Sequence, residues 1–255
     1  MLNKSGRLGT MEEYIVRANN WRNFAPCNSF AYEYHFWKHQ FYAPGVLSFA
    51  RRLHEDVHSY KVNGFNGMIQ DGSQRAFFPN GLSYYSYAST LFDNGVDFKA
   101  LVEDYFRHAY GELWQDALAY LEAIDEYMPQ TYVEAIHTIR PDPNHFYKPE
   151  MQAKLLKVKE IAADLKAKFK DHRNMPYRVQ TIAVRLLMEH ADFCCGIAEA
   201  LALKCVGKDS EAKDKFFEFM DQFGARELGM ERYYDHFMAT HSLKMIFNTK
   251  SEYDQ

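Results

Sequence analysis

The apolar positions of this chain change period along its length. Met11, Tyr14, Ile15, Ala18 and Trp21 recur at steps of three and four, which predicts an amphipathic helix from Thr10 to Phe24 with Thr10 as its N-cap. Ser29 to Trp37, SFAYEYHFW, alternates instead. Phe30, Tyr32, Tyr34 and Phe36 fall on one side of a predicted strand, and Ala31, Glu33, His35 and Trp37 on the other. Bulky groups on both sides predict a central strand. After Pro44-Gly45 the helical period returns, with Val46, Phe49, Ala50, Leu53, Val57 and Tyr60 on one stripe that stops at Asn63-Gly64. FNGMIQDG then predicts a second short strand. Strand, helix, strand is a right-handed βαβ crossover, and the helix before it makes the run αβαβ.

From Gly81 to Gly111 the pattern is helical, with a break near Asp93-Asn94-Gly95. Beyond it only helices are predicted, over residues Leu113–Met128, Lys148–Asp171, Tyr177–Val206 and Ser210–Leu228. TYVEAIHTIRPDPNHFYKP, with its prolines, is a loop or linker between the first two. Lys148, Lys154, Lys157, Lys159, Lys166, Lys168 and Lys170 lie opposite a stripe of Met151, Leu155, Val158, Ile161, Ala162, Leu165 and Phe169, the layout of a solvated helix face. The expected fold is mostly α with a small βαβ part, residues 1–111 carrying the strands and residues 112–255 forming an α-helical domain.

A parallel two-stranded ribbon cannot shield its own faces and edges. Residues 1 to about 110 therefore belong to a larger sheet, completed by strands outside this chain or by association, including with a second copy.

Composition narrows the chemistry. Thirty basic against 34 acidic residues, a formal charge of -4, give no electrostatic hold on nucleic acid or acidic membrane. The 18 Tyr, 20 Phe and 3 Trp suit both a core and a sugar-stacking pocket. Cys27, Cys194, Cys195 and Cys205 have no CxxC spacing and are expected as free thiols. The stretch MLNKSGRLGTMEEY has no signal-peptide core, and no segment approaches a membrane span, so the chain as given is expected inside the cell, or secreted or periplasmic if it is a fragment. No G-x-G-x-x-G, Walker or G-x-S-x-G motif is present, and no cofactor is expected.

The series YEYHFW, a helix, and then NGFNGMIQDGSQRAFFPNGLSYYSYASTLFDNGVDFKALVEDYFRHAYGE resembles the last part of the catalytic-domain region of DUF4838 proteins, glycoside-hydrolase-like barrels. The resemblance covers roughly residues 10 to 130, and the helices that follow resemble the family's helical tail. It implies that the strands are the last two of a (β/α)8-type barrel followed by an α-helical bundle domain. It also implies that the principal acid lies upstream, so this chain alone lacks a complete active site. The implied partner is a carbohydrate, a uronic acid or an amino sugar.

Barrel sites form at the carboxy-terminal ends of strands. That selects His35, Trp37 and Lys38 after the first strand, and Gln70, Asp71, Ser73, Gln74 and Arg75 after the second, as sugar-binding candidates. Glycoside hydrolysis needs two carboxyl groups, and Glu33 and Asp71 are the candidate pair. Alternatives stand beside these roles. Asp71 caps the Asp71-Gly72 turn, Arg75 pairs with a structural acid rather than a sugar carboxylate, and Trp37 or Phe77 is core. His54-Glu55-Asp56-Val57-His58 fits the zinc motif HExxH, yet the helix puts Glu55 nearly opposite the buried stripe, and Lys61 stands where the extended motif needs glycine. No metal is expected.

Overall fold

The computed structural model describes residues 11–24, 28–72, 75–134 and 142–254. Thr10, Cys27, Ser73 and Gln74, which carried expectations above, lie outside them. Among the described residues the chain is mostly α-helical with one two-stranded parallel sheet, and no barrel is formed. No described helix is long and apolar enough to cross a membrane.

Helix α1 (Met11–Phe24) leads to β1 (Ser29–Glu33), α2 (Leu47–Val62) and β2 (Phe65–Gln70). The two strands pair in parallel, with Tyr32 opposite Ile69 and Glu33 opposite Gln70, giving the expected αβαβ order. β1 stops at Glu33, four residues short of the predicted end. There the chain turns, Trp37 N donating to Tyr34 O. His35 and Phe36 are both buried while Trp37 is exposed, an inward pair of neighbours that a strand's alternation forbids and a turn allows.

The α2 stripe is buried as its spacing requires: Val46, Phe49, Ala50, Leu53, Val57 and Tyr60 are all core. Gly64, at φ +82°, takes the left-handed step that closes the helix. The start of α2 is capped from a distance. Asp125 Oδ2 accepts from Ser48 N at 2.8 Å and its Oδ1 from Ser48 Oγ at 2.9 Å.

Helices α3 (Leu82–Phe92) and α4 (Phe98–Tyr110) are separated at the Asp93–Gly95 break, and Asp97 caps α4 through Ala100 N at 2.9 Å. Then come α5 (Trp114–Tyr127), α6 (Gln130–Val133), α7 (Gln152–Phe169), α8 (Arg178–Lys204), α9 (Asp209–Gly224), α10 (Glu227–Met230) and α11 (His236–Asn248). Sequence patterning missed α11. Its signal is Asp235, whose Oδ1 accepts from Met238 N at 2.9 Å, followed by the buried spacing Ala239, Ser242, Leu243, Ile246 and Phe247.

One apolar core runs from Tyr42 and Val46 through Phe78, Phe106 and Leu121 to Leu187, Phe216 and Phe247, across residues 111–112 without a break. A second cluster, Phe36, Ala43, Phe49, Leu53, Val57, Ala76 and Tyr87, fills the space around α2. The strand-bearing part is tied to the last helices: Tyr42 Oη donates to Ser242 O at 3.1 Å, and Phe77 N to Tyr233 O at 3.2 Å.

Candidate functional site

In a parallel sheet, paired positions project to the same side. Tyr60, on α2, donates its hydroxyl to Glu33 Oε1 at 2.8 Å, so Glu33 and its partner Gln70 face α2. Phe30, Tyr32 and Ile69 project the other way, where they are 61%, 52% and 44% exposed. One side of the ribbon is thus covered by helix and the other is open.

The sequence candidates divide between these sides. On the α2 side, His35 lies buried with Nδ1 2.9 Å from Gln70 Oε1 and Nε2 3.7 Å from Asp56 Oδ2. Burial brings its pKa down to about 4, so it is a neutral imidazole at neutral pH. Burial also raises the Glu33 pKa, partly offset by the Tyr60 hydrogen bond. Gln70 is used twice, its Nε2 donating to Asp71 O at 2.7 Å.

On the open side, Asp71 Oδ2 accepts from Tyr32 Oη at 2.8 Å, and Asp71 Oδ1 takes Gly72 N at 2.6 Å. The turn-capping role and an outward-facing carboxylate coexist in one residue. The Tyr32 pKa is held up at about 12, first by its hydrogen bond to Asp71. Tyr32, Tyr34 and Trp37 follow as a row, with ring centroids 5.4 and 5.7 Å apart, and Lys38 Nζ lies 5.3 Å from the Trp37 ring centre. Gly72 lets the second strand end pass this row: at φ +77°, an added Cβ would stand 3.1 Å from Trp37 Cβ.

Glu33 and Asp71 therefore leave the sheet on opposite sides. Arg75 is turned to structural acids, with Nη1 2.9 Å from Glu227 Oε1 and Nη2 2.7 Å from Asp235 Oδ2, tying the end of the second strand to α10 and α11. The HExxH histidines are also engaged. His54 Nε2 meets Val96 O at 2.9 Å and His58 Nδ1 meets Asn94 Oδ1 at 3.1 Å, while Glu55 is exposed. They fasten the α3–α4 turn onto α2, and no group of three or more His, Cys, Asp or Glu side chains that could hold a metal ion occurs among the described residues. Cys194 is buried, and burial raises its thiol well above the ordinary range.

Comparison with family models, curated proteins and solved structures finds no match. The site's meaning therefore rests on its geometry. Tyr32 and Tyr34 are the members that sequence reasoning left out. The available signal was register: Tyr32 pairs with Ile69, two residues before Asp71, so both reach the same side.

Proposed function

We propose that this chain is the carboxy-terminal portion of a carbohydrate-active, glycoside-hydrolase-like barrel protein, and that the open side of its sheet contributes sugar contacts. The observation that carries this reading is the row Tyr32–Tyr34–Trp37 beside the Asp71 carboxylate at the carboxy-terminal ends of two parallel strands. Aromatic rings offer flat apolar surface to the C–H face of a pyranose, and a carboxylate accepts from its hydroxyls. Lys38, near Trp37, supplies a cation for a uronate carboxylate. In this reading the exposed Phe30, Tyr32 and Ile69 are the surface that further barrel strands would line.

Asp71 is the acid this portion would contribute to the reacting sugar. Glu33, His35 and Gln70 hold the strand ends against α2, and Arg75 holds the loop, as positioning residues. A second carboxylate comes from strands outside this portion, as glycoside hydrolysis requires.

Calorimetric titration of the chain with glucuronate, galacturonate and N-acetylglucosamine tests the proposal. At least one sugar is expected to bind and to change tryptophan fluorescence, with Trp37→Ala weakening binding by about tenfold, a loss of about 1.4 kcal/mol. Absence of binding by all three, or binding indifferent to Trp37→Ala and Asp71→Asn, removes the proposal.

A further inference from the structure

The loop after β2, helices α3 and α4, and the first turns of α8 line an open cleft of about 930 Å³ that shares no lining residue with the open side of the sheet. Its walls include Phe77, Tyr85, Tyr105, Val179, Ile182 and Leu186. The shape is held rigidly. Phe77 lies flat on Tyr84 with centroids 4.6 Å apart, and Tyr84 lies flat on Phe36 at 3.9 Å, so the stack is anchored in the buried cluster around α2. Gly81 N donates to Tyr105 Oη at 2.7 Å, and a Cβ at Gly81 would run into the Phe77 ring.

The polar groups of the cleft are mostly spent on one another. Asn80 Oδ1 accepts from Leu82 N at 3.0 Å, and its Nδ2 donates to Tyr110 Oη at 3.2 Å. Asp104 Oδ2 takes the Tyr85 hydroxyl at 2.5 Å, and its Oδ1 stands 3.4 Å from His108 Nδ1. Arg178 is the exception: it stands exposed where this cleft meets a second groove, lined by Arg185 and Leu228, and its guanidinium makes no hydrogen bond or ion pair among the described residues. The walls are mostly ring and aliphatic carbon and offer a sugar's hydroxyls few partners. A ligand with an apolar body and a single anionic head leaves nothing unpaired, and the volume lies in the range of small-molecule sites.

We propose that this cleft binds a small amphiphilic monocarboxylate, its alkyl or aryl body against Phe77 and Ile182 and its carboxylate on Arg178. Calorimetry on the full chain with decanoate and its uncharged counterpart decanol tests it. One site per chain is expected, with decanoate about tenfold tighter than decanol because the charged head gains a guanidinium partner. Arg178→Gln brings the acid down to the alcohol without moving the alcohol. Phe77→Ala weakens both. Val179→Glu, an exposed substitution at the mouth, weakens decanoate more than decanol and serves if Phe77→Ala fails to fold. The proposal is overturned if decanoate does not bind, if acid and alcohol bind equally, or if Arg178→Gln and Val179→Glu both leave the preference for the acid intact.

Discussion

Lys204 shows how one side chain can hold a chain end. It is fully buried in the last turn of α8, with Nζ 2.7 Å from Asp209 Oδ1 and donating to Thr249 O. Asp209 Oδ2 accepts Ser251 N at 2.6 Å, so the pair fixes the segment after α11. A buried ion pair adds little net stability over an apolar pair, but removing one partner strands the other. Lys204→Met should therefore cost about 3–5 kcal/mol in urea unfolding, and the double substitution Lys204→Met with Asp209→Leu should cost less than the single one.

His190 makes a pH-dependent contribution. It is buried between the Tyr120 hydroxyl, 3.1 Å from Nδ1, and Cys194 Sγ, 3.2 Å from Nε2, and burial lowers its pKa from 6.5 to about 3. The unfolded chain takes up a proton between these values that the folded chain refuses. Its contribution is fully present above pH 6.5 and is lost as pH falls toward about 3. His190→Gln should flatten the fall in stability between about pH 6.5 and about pH 4 by up to about 1.4 kcal/mol per pH unit, read from urea midpoints. An unchanged slope would place the acid sensitivity elsewhere.

At the scale of elements, the junction of α2 with α5 carries the most concentrated dependence. Asp125 projects from α5 onto the first turn of α2, where its carboxylate accepts from Ser48 twice and lies at the positive end of the helix. The approach is close enough that a Cβ on Gly45 would collide with the Asp125 side chain and backbone. Val46 enters the helix at φ 69°, a conformation a β-branched residue adopts only when its surroundings impose it, and here it is buried in the core. Asp125→Ala should lose about 2 kcal/mol, more than an isolated cap, because the same carboxylate docks two helices. Gly45→Ala should destabilise too, and the two effects should fall short of additive because both disturb one contact.

Element boundaries follow the same logic of local against distant forces. The α2 stripe, its Asn63-Gly64 stop and the Asp93–Gly95 break were legible because period, capping and positive φ are local properties. The end of β1 was not. Alternation continues in the letters through Trp37, but Phe36 is drawn inward beside His35 by Phe49, Tyr84 and Tyr87, which lie further along the chain.

For the whole molecule, the continuous core across residues 111–112, the Arg75 ties to Glu227 and Asp235, and the Tyr42–Ser242 bond join the strand-bearing part to the last helices. Calorimetric unfolding should show one cooperative transition. Two separated transitions would mean that residues 1–111 and 112–255 melt independently. The candidate site was legible only in part for a related reason. Proximity to strand ends picked out Trp37, Lys38 and Asp71, which stand together beside Tyr32 and Tyr34, and it also picked Arg75, whose acidic partners lie some 150 residues further along.

By itself the sequence determined a mostly helical chain with two parallel strands in αβαβ order, because hydrophobic period, caps and turn residues act over a few residues and need no distant partner. It also put a carboxylate and aromatic rings near the strand ends. Only the tertiary structure decided which side of the sheet each group occupies, since that depends on where α2 packs. The packing turned Glu33 and His35 toward Tyr60 and Asp56 and left Tyr32, Tyr34, Trp37 and Asp71 on the open side.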